Sequence, residues 1–334
     1  MNPDQRDLSR HSNAGLRATS RLLGLLRLVV GLVAFFGIVG WVGTERLAFE
    51  LERVSWPWLL AMPLLWILNL VVGGAGLFAL FRPFVSLPLQ VFLRYHFVAQ
   101  SLGAFLPWQI GESSLVIIMK NHGVTLPRAV GLFLVDKVTT LIVLCAFGGL
   151  GMFTMVIPGA DLRWLCLVLL GVLVIVGLVV ANSRPRAFLR SLSRQESLAR
   201  FFIPIRGLFS EFRSHQRALV LDFVLTVVRL VVIAPFYPFI MFLALGTRVP
   251  FGSLILISSL IGLVSLIPIT AQGLGIVELS AVYLYSLINV EPTTTATVYL
   301  IARPLSLGFS GLLLTLAGNA CRFTSGNASS RDSP

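Results

Sequence analysis

Seven ionisable side chains lie in stretches of this chain that are otherwise apolar: Glu112, Asp136, Lys137, Asp222, Arg229, Glu278 and Arg303. Facing lipid at a helix centre, each would cost roughly 2.5–3.5 kcal/mol. The sum, about 20 kcal/mol, exceeds the roughly 5–15 kcal/mol by which a typical fold is stable. These groups must therefore face protein or water, and with both signs present they can neutralise one another. Buried charges of both signs, with no nucleophile beside them, suit the passage of a charged group rather than bond making. The four histidines (His11, His96, His122, His215) have no metal-ligand spacing. No GxSxG, P-loop or HExxH is present. No metal and no cofactor is expected.

Several of these residues recur at one spacing. Glu112 and Glu278, Val124 and Val290, and Lys137 and Arg303 are each 166 residues apart. Helix breakers precede both glutamates: Pro107 and Gly111 before the first, Pro268, Gly273 and Gly275 before the second. Residues 94–106 cannot cross a core of about 30 Å at about 1.5 Å per residue. A helical hairpin that dips in and returns fits better, over 95–121 and again over 268–290. Two readings fit Glu112 and Glu278: carboxylates capping the first turn of a helix, or groups lining a polar path. Lys137 and Arg303 likewise either snorkel to an interface or face that path. Asp222 and Arg229 share a helix face but stand about 10.5 Å apart along the axis, so each needs another partner. Asp222, near the start of its span, is left off the path, which is assigned to Glu112, Asp136, Lys137, Arg229, Glu278 and Arg303.

The elements that must position these residues are membrane helices. Of 334 residues 56% are hydrophobic and 12% charged, about half the charged share of a soluble domain. Apolar runs cover 28–43, 57–81, 129–156, 163–182, 218–246, 251–269 and 293–318. The expected fold is an all-α polytopic membrane protein with about seven spanning helices and two re-entrant hairpins in an internal duplication. It divides into a basic tail (1–21), a first half (22–182), a basic loop (183–217), a second half (218–320) and a polar tail (321–334). Gly73, Gly74 and Gly76 read as a close helix-packing site. Cys145, Cys166 and Cys321 form no disulfide framework.

The net charge of +12 is carried almost entirely by arginine, with Lys120 and Lys137 the two lysines. In a membrane chain this follows the positive-inside rule rather than signalling nucleic acid. Tail and basic loop are expected in the cytoplasm, and the acidic loop 44–56 outside, in the cell's inner membrane. The 183–217 loop interleaves arginines with phenylalanines and leucines. It reads either as a segment lying on anionic headgroups or as an ordinary cytoplasmic loop.

The chain resembles the transmembrane flippase region of lysylphosphatidylglycerol synthases, over about residues 20–320. The resemblance rests on Leu106-Pro107-x3-Gly111-Glu112, on Gly123-Val124 followed by Asp136-Lys137, and on Gln272-Gly273-Leu-Gly275-Ile-Val-Glu278 with Arg303. It implies movement of an amphipathic lipid between leaflets. In the aminoacyl-lipid members a soluble domain attaches the amino acid; this chain has no stretch long enough for one, so enzyme activity is not expected.

The function expected is therefore a lipid transporter or flippase for a phospholipid or lipid-linked sugar. Lys137, Arg303 and Arg229 would neutralise the phosphate in a groove between the repeats. Glu112, Glu278 and Asp136 would balance those cations or bind an amine. The alternative is a non-transporting scaffold whose arginine loop docks a cytoplasmic glycosyltransferase or lipid-modifying enzyme. A membrane-embedded transferase is a third class, for which no nucleophile or metal constellation is present.

Overall fold

The computed structural model describes residues 26, 29–105, 110–154, 215–267, 270 and 273–329. The basic tail, most of the arginine loop, the 163–182 run, and the turn residues Pro107 and Pro268 lie outside them. Every regular element among the described residues is helical. In chain order these are α1 (Val29–Val42), α2 (Thr44–Arg53), α3 (Trp56–Phe81), α4 (Leu89–Phe105), α5 (Ile110–Asn121), α6 (Leu126–Thr154), α7 (Gln216–Val227), a π-helical segment (Val228–Ile233), α8 (Phe236–Ala244), α9 (Phe251–Leu266), α10 (Ile276–Ser286) and α11 (Pro292–Ser329).

This is an all-α polytopic membrane protein. Among the described residues four helical stretches are long and apolar enough to cross a bilayer: Trp56–Phe84, Leu126–Gly151, Gln216–Ala244 and Pro292–Leu316. Val29–Val42 makes a fifth only together with α2, from which it is bent by 77°. The acidic stretch expected as a loop at 44–56 is thus largely the helix α2. The 251–269 run is shorter than expected of a span, because helix α9 stops at Leu266.

Two helical hairpins lie between the long helices. In the first, α4 and α5 pack side by side. Near the tip, Gly111 meets Gly103 so closely that a Cβ would overlap the Gly103 backbone. At the base, the Tyr95 and His122 rings lie 5.3 Å apart. Each arm between those points is about ten residues, or ~15 Å. In the second hairpin α9 packs on α10, and Gly273 and Gly275 turn the chain at φ of 69° and 79°.

The exits from the two hairpins match bond for bond. Gly123 and Val124 donate their N–H groups to the carbonyls of Lys120 and Met119; Asn289 and Val290 do the same to Ser286 and Tyr285. Both are Schellman motifs, with Gly123 and Asn289 at the left-handed position. In each motif the valine after the turn is buried in the same core cluster as the side chain whose carbonyl it binds, Met119 or Tyr285. The next helices then start alike, Ala129 donating to Thr125 and Thr295 to Glu291.

The long helices cross between the hairpins. Helix α6 packs on α9, and α11 packs on α4. Small residues let α6 and α9 approach: Gly148 faces Leu260 and Leu263, Gly151 faces Leu256, and Gly262 faces Leu144. These pairings run in opposite directions along the two helices, which are therefore antiparallel. One core cluster gathers around each hairpin, and α3 contributes Met62 to the second and Leu77, Leu80 and Phe81 to the first.

Candidate functional site

Lys137, near the middle of α6, reaches Glu112 in the first turn of α5, with Nζ 2.5 Å from Oε2. Asp136 Oδ2 lies 3.6 Å from the same ammonium, and the Phe133 ring stands 4.9 Å from it. One lysine is thus held between two carboxylates. The hairpin sets this up: α4 flanks the Glu112 side chain at Gly103, where a Cβ would stand at an ordinary contact distance of 3.6 Å from its Cγ.

Arg229 approaches from the π-helical segment. Pro235 and Pro238 have no N–H to give the carbonyls of Val231 and Ala234, so regular α-helical bonding stops just after this segment. The Ala234 N–H bonds instead to the Arg229 carbonyl, at 2.9 Å, in the wide i to i−5 pattern. The Arg229 guanidinium donates through Nη2 to the Thr140 hydroxyl at 3.1 Å. Its Nε is buried without an acceptor.

The glycine run of α3 makes space for these polar groups. A Cβ on Gly73 would stand 3.0 Å from Arg229 Cδ and 3.1 Å from Nη1. A Cβ on Gly74 would be 2.8 Å from His96 Cδ2, and one on Gly76 would be 3.2 Å from Asp222 Oδ1. The run does permit close helix packing, and what packs there includes Arg229, His96 and Asp222 beside Leu93 and Leu225.

A small cavity, on the scale of one water molecule, opens among Glu112, Asp136, Lys137, Arg229, His96 and Gln100. Four of the six path residues named from the sequence therefore share one site. Glu278 and Arg303 are not in its lining. They form a second pair with the same 25-residue separation: Arg303 Nε donates to Glu278 Oε1 at 2.9 Å and Nη2 lies 2.8 Å from the same oxygen. The other oxygen, Oε2, accepts the Gly275 N–H at 2.7 Å. Glu278 thus caps α10, the first of its two sequence readings, and pairs with Arg303 at once. Its side chain is 1% exposed. Helix α1 closes this end, because Gly275 packs directly on Ala34, where a Cβ would overlap.

The sequence missed His96, Gln100 and Thr140 at the first site. His96 and Gln100 lie on the same face of α4, one turn apart, and Thr140 lies one turn after Asp136; that spacing was the available signal. Asp222, left off the path, is fully buried beside the cavity's helices. Among the described residues no group of His, Cys, Asp or Glu could hold a metal ion.

Residues 25–313 match the family model described as the lysylphosphatidylglycerol synthase TM region. No curated protein and no solved structure matched the chain. The match takes in α1 through the spanning part of α11, with both hairpins and both ion pairs, and on that breadth the chain belongs to the lysylphosphatidylglycerol synthase transmembrane region family.

Proposed function

We propose that the protein carries the polar headgroup of a phospholipid or lipid-linked sugar across the bilayer while the acyl chains stay in lipid. The headgroup engages the first cluster. Lys137 and Arg303 are each paired with a carboxylate, whereas the Arg229 guanidinium donates to a hydroxyl. That difference carries the reading: Arg229 is the cation placed to take a phosphate, with the Thr140 hydroxyl as a second contact. The Glu112–Lys137–Asp136 triad is the anionic counterpart, suited to an amine or to sugar hydroxyls. The headgroup's entry requires the cavity to widen.

In this reading the two hairpins are re-entrant, and the matching exits and ion pairs mark an internal duplication. One copy keeps a cavity and the other is a closed clamp. The chain sits in the inner membrane with its N-terminus and arginine loop on the cytoplasmic side, where the arginines meet anionic headgroups. It moves lipid and makes no covalent change to it.

The test is a scrambling assay on the purified protein in vesicles, with fluorescent lipids of several headgroups and a membrane-impermeant quencher. Wild type should expose the inner-leaflet probe. Arg229→Gln should lose most of that rate while eluting as a folded protein. Equal accessible fractions with and without wild-type protein, for each lipid, would reject transport. Full activity in Arg229→Gln would reject the assigned contact.

A further inference from the structure

The Lys137 ammonium has three neighbours of one kind. Glu112 Oε2 is 2.5 Å from it, Asp136 Oδ2 is 3.6 Å away, and the Phe133 ring centre is 4.9 Å away. Carboxylates and an aromatic face are the groups that hold an ammonium ion in a binding site. Here the ammonium between them belongs to the chain itself. Phe133, Asp136 and Lys137 all lie on α6, so the cage and its occupant are built together. The same residues line the cavity.

The amine of a headgroup entering this cavity would meet a cation already in its place. To take that place it must displace a tethered ammonium, which competes at the high effective concentration of an intramolecular group. Beside Lys137 it would be repelled, and like charges repel more strongly in a buried site than in water. A hydroxyl meets neither obstacle. Lys137 uses Oε2 of Glu112 and Oδ2 of Asp136, and each carboxylate has a second oxygen able to accept an O–H. Gln100 and His96 complete the polar lining. An amide and a neutral imidazole each donate and accept without adding charge. The His96 ring turns its Cγ–Cδ2 edge to Gly74. Donors and acceptors are thus mixed in one small space, which suits a hydroxyl because it does both.

We infer that Lys137 sets the specificity of this site by filling the place of a headgroup amine. The cavity takes a phosphate ester that carries hydroxyls, a polyol or a sugar, and excludes one that carries an ammonium. This rests on the transport reading above, in which Arg229 takes the phosphate, and narrows it. Removing the Lys137 ammonium empties the cage and turns the same carboxylates and ring into a receptor for an amine.

The experiment uses the full chain in vesicles, in the scrambling assay above, with three lipids labelled in the tail: phosphatidylglycerol, a polyprenyl phosphoglucose and phosphatidylethanolamine. Wild type should move one or both hydroxylated lipids about tenfold faster than the amine lipid. Which of the two moves identifies the source of the headgroup. Lys137→Met should reverse the order by speeding phosphatidylethanolamine, and Lys137→Arg, which keeps the cation, should still exclude it. Binding is read separately in detergent, as the rise in melting temperature given by glycerol 3-phosphate and by phosphoethanolamine. The first should stabilise wild type and the second should not; Lys137→Met should show the opposite. A wild type that moves or binds the amine form as well as the hydroxyl form overturns the inference, and so does a folded Lys137→Met that keeps the wild-type order. If Lys137→Met does not fold, the wild-type comparison and Lys137→Arg decide. If no lipid moves, the transport reading fails and the binding comparison alone decides the specificity; binding of neither compound overturns it.

Discussion

Asn289 holds a φ of 60° at the turn where Gly123, 166 residues earlier, holds 90°. The two residues close the same motif, yet one carries a Cβ and the other does not. Left-handed backbone costs an L-residue roughly 1–2 kcal/mol, and asparagine tolerates it better than most. Asn289→Gly should therefore leave stability unchanged or slightly raised. Asn289→Val, β-branched and without the side-chain amide, should lose about 1–2 kcal/mol. Unfolding of the two variants in one detergent separates these outcomes, and equal stabilities would show that the motif tolerates any residue.

The Arg303–Glu278 pair makes a second prediction, because its carboxylate is sealed. Arg303→Ala strands Glu278 with only the Gly275 N–H. Breaking a buried pair from one side typically costs about 3–5 kcal/mol. Glu278→Gln keeps an acceptor for Gly275, so the double variant Glu278→Gln/Arg303→Ala should recover part of the loss. A double variant no more stable than Arg303→Ala would mean that Glu278 is neutral or solvated in the native protein.

The charges and the breaks were legible in the sequence for a common reason: both are expensive in a bilayer, so each placement carries information. The common 166-residue spacing of Glu112, Val124 and Lys137 with Glu278, Val290 and Arg303 could be read off directly, and so could the hairpin arms on either side of Gly111. The difference between the two pairs could not. Whether Glu278 is sealed depends on α1 packing Ala34 against Gly275, a contact between distant segments that no local pattern announces. The role of Gly73 and Gly76 was hidden in the same way. Small residues in a span signal close approach, but not whether a leucine or an arginine does the approaching. Asp222 was undervalued because its place along the chain suggested an interface, whereas burial follows from its packing on α3.

Gly111 tests the first hairpin. The α4 and α5 backbones touch at Gly103 and Gly111, and a Cβ at Gly111 meets backbone atoms rather than a movable side-chain end. Gly111→Ala must part the arms and displace Glu112, the next residue, from Lys137. Overpacking of this kind usually costs about 1–3 kcal/mol. Transport should fall with stability, since the carboxylate leaves the cavity wall. Gly123→Ala, where a Cβ meets nothing within 4 Å, should show only the strain of its positive φ and keep the transport rate. Equal losses of transport in the two variants would remove the hairpin tip from the mechanism.

Arg46 on α2 pairs with Glu291, which starts α11, at 2.6 Å. Hydrogen bonds from Thr293 and then from Arg46 hold the Glu291 carboxyl below the usual carboxylate range. A carboxylate whose value is depressed by folding stabilises the folded state above its unfolded value. That contribution disappears as pH falls through the folded value. Both partners are about half exposed, so solvent and salt screen the pair and its share of stability is small. The clearer readout is the titration itself. In Arg46→Ala the Glu291 carboxyl, followed by carbon NMR, should move up toward an ordinary glutamate but stop short of it, because Thr293 and Thr294 still donate. Thr293→Val should likewise move it up, since that hydroxyl also donates to the carboxyl. An unchanged titration in both would mean that α2 and the start of α11 are not joined in solution.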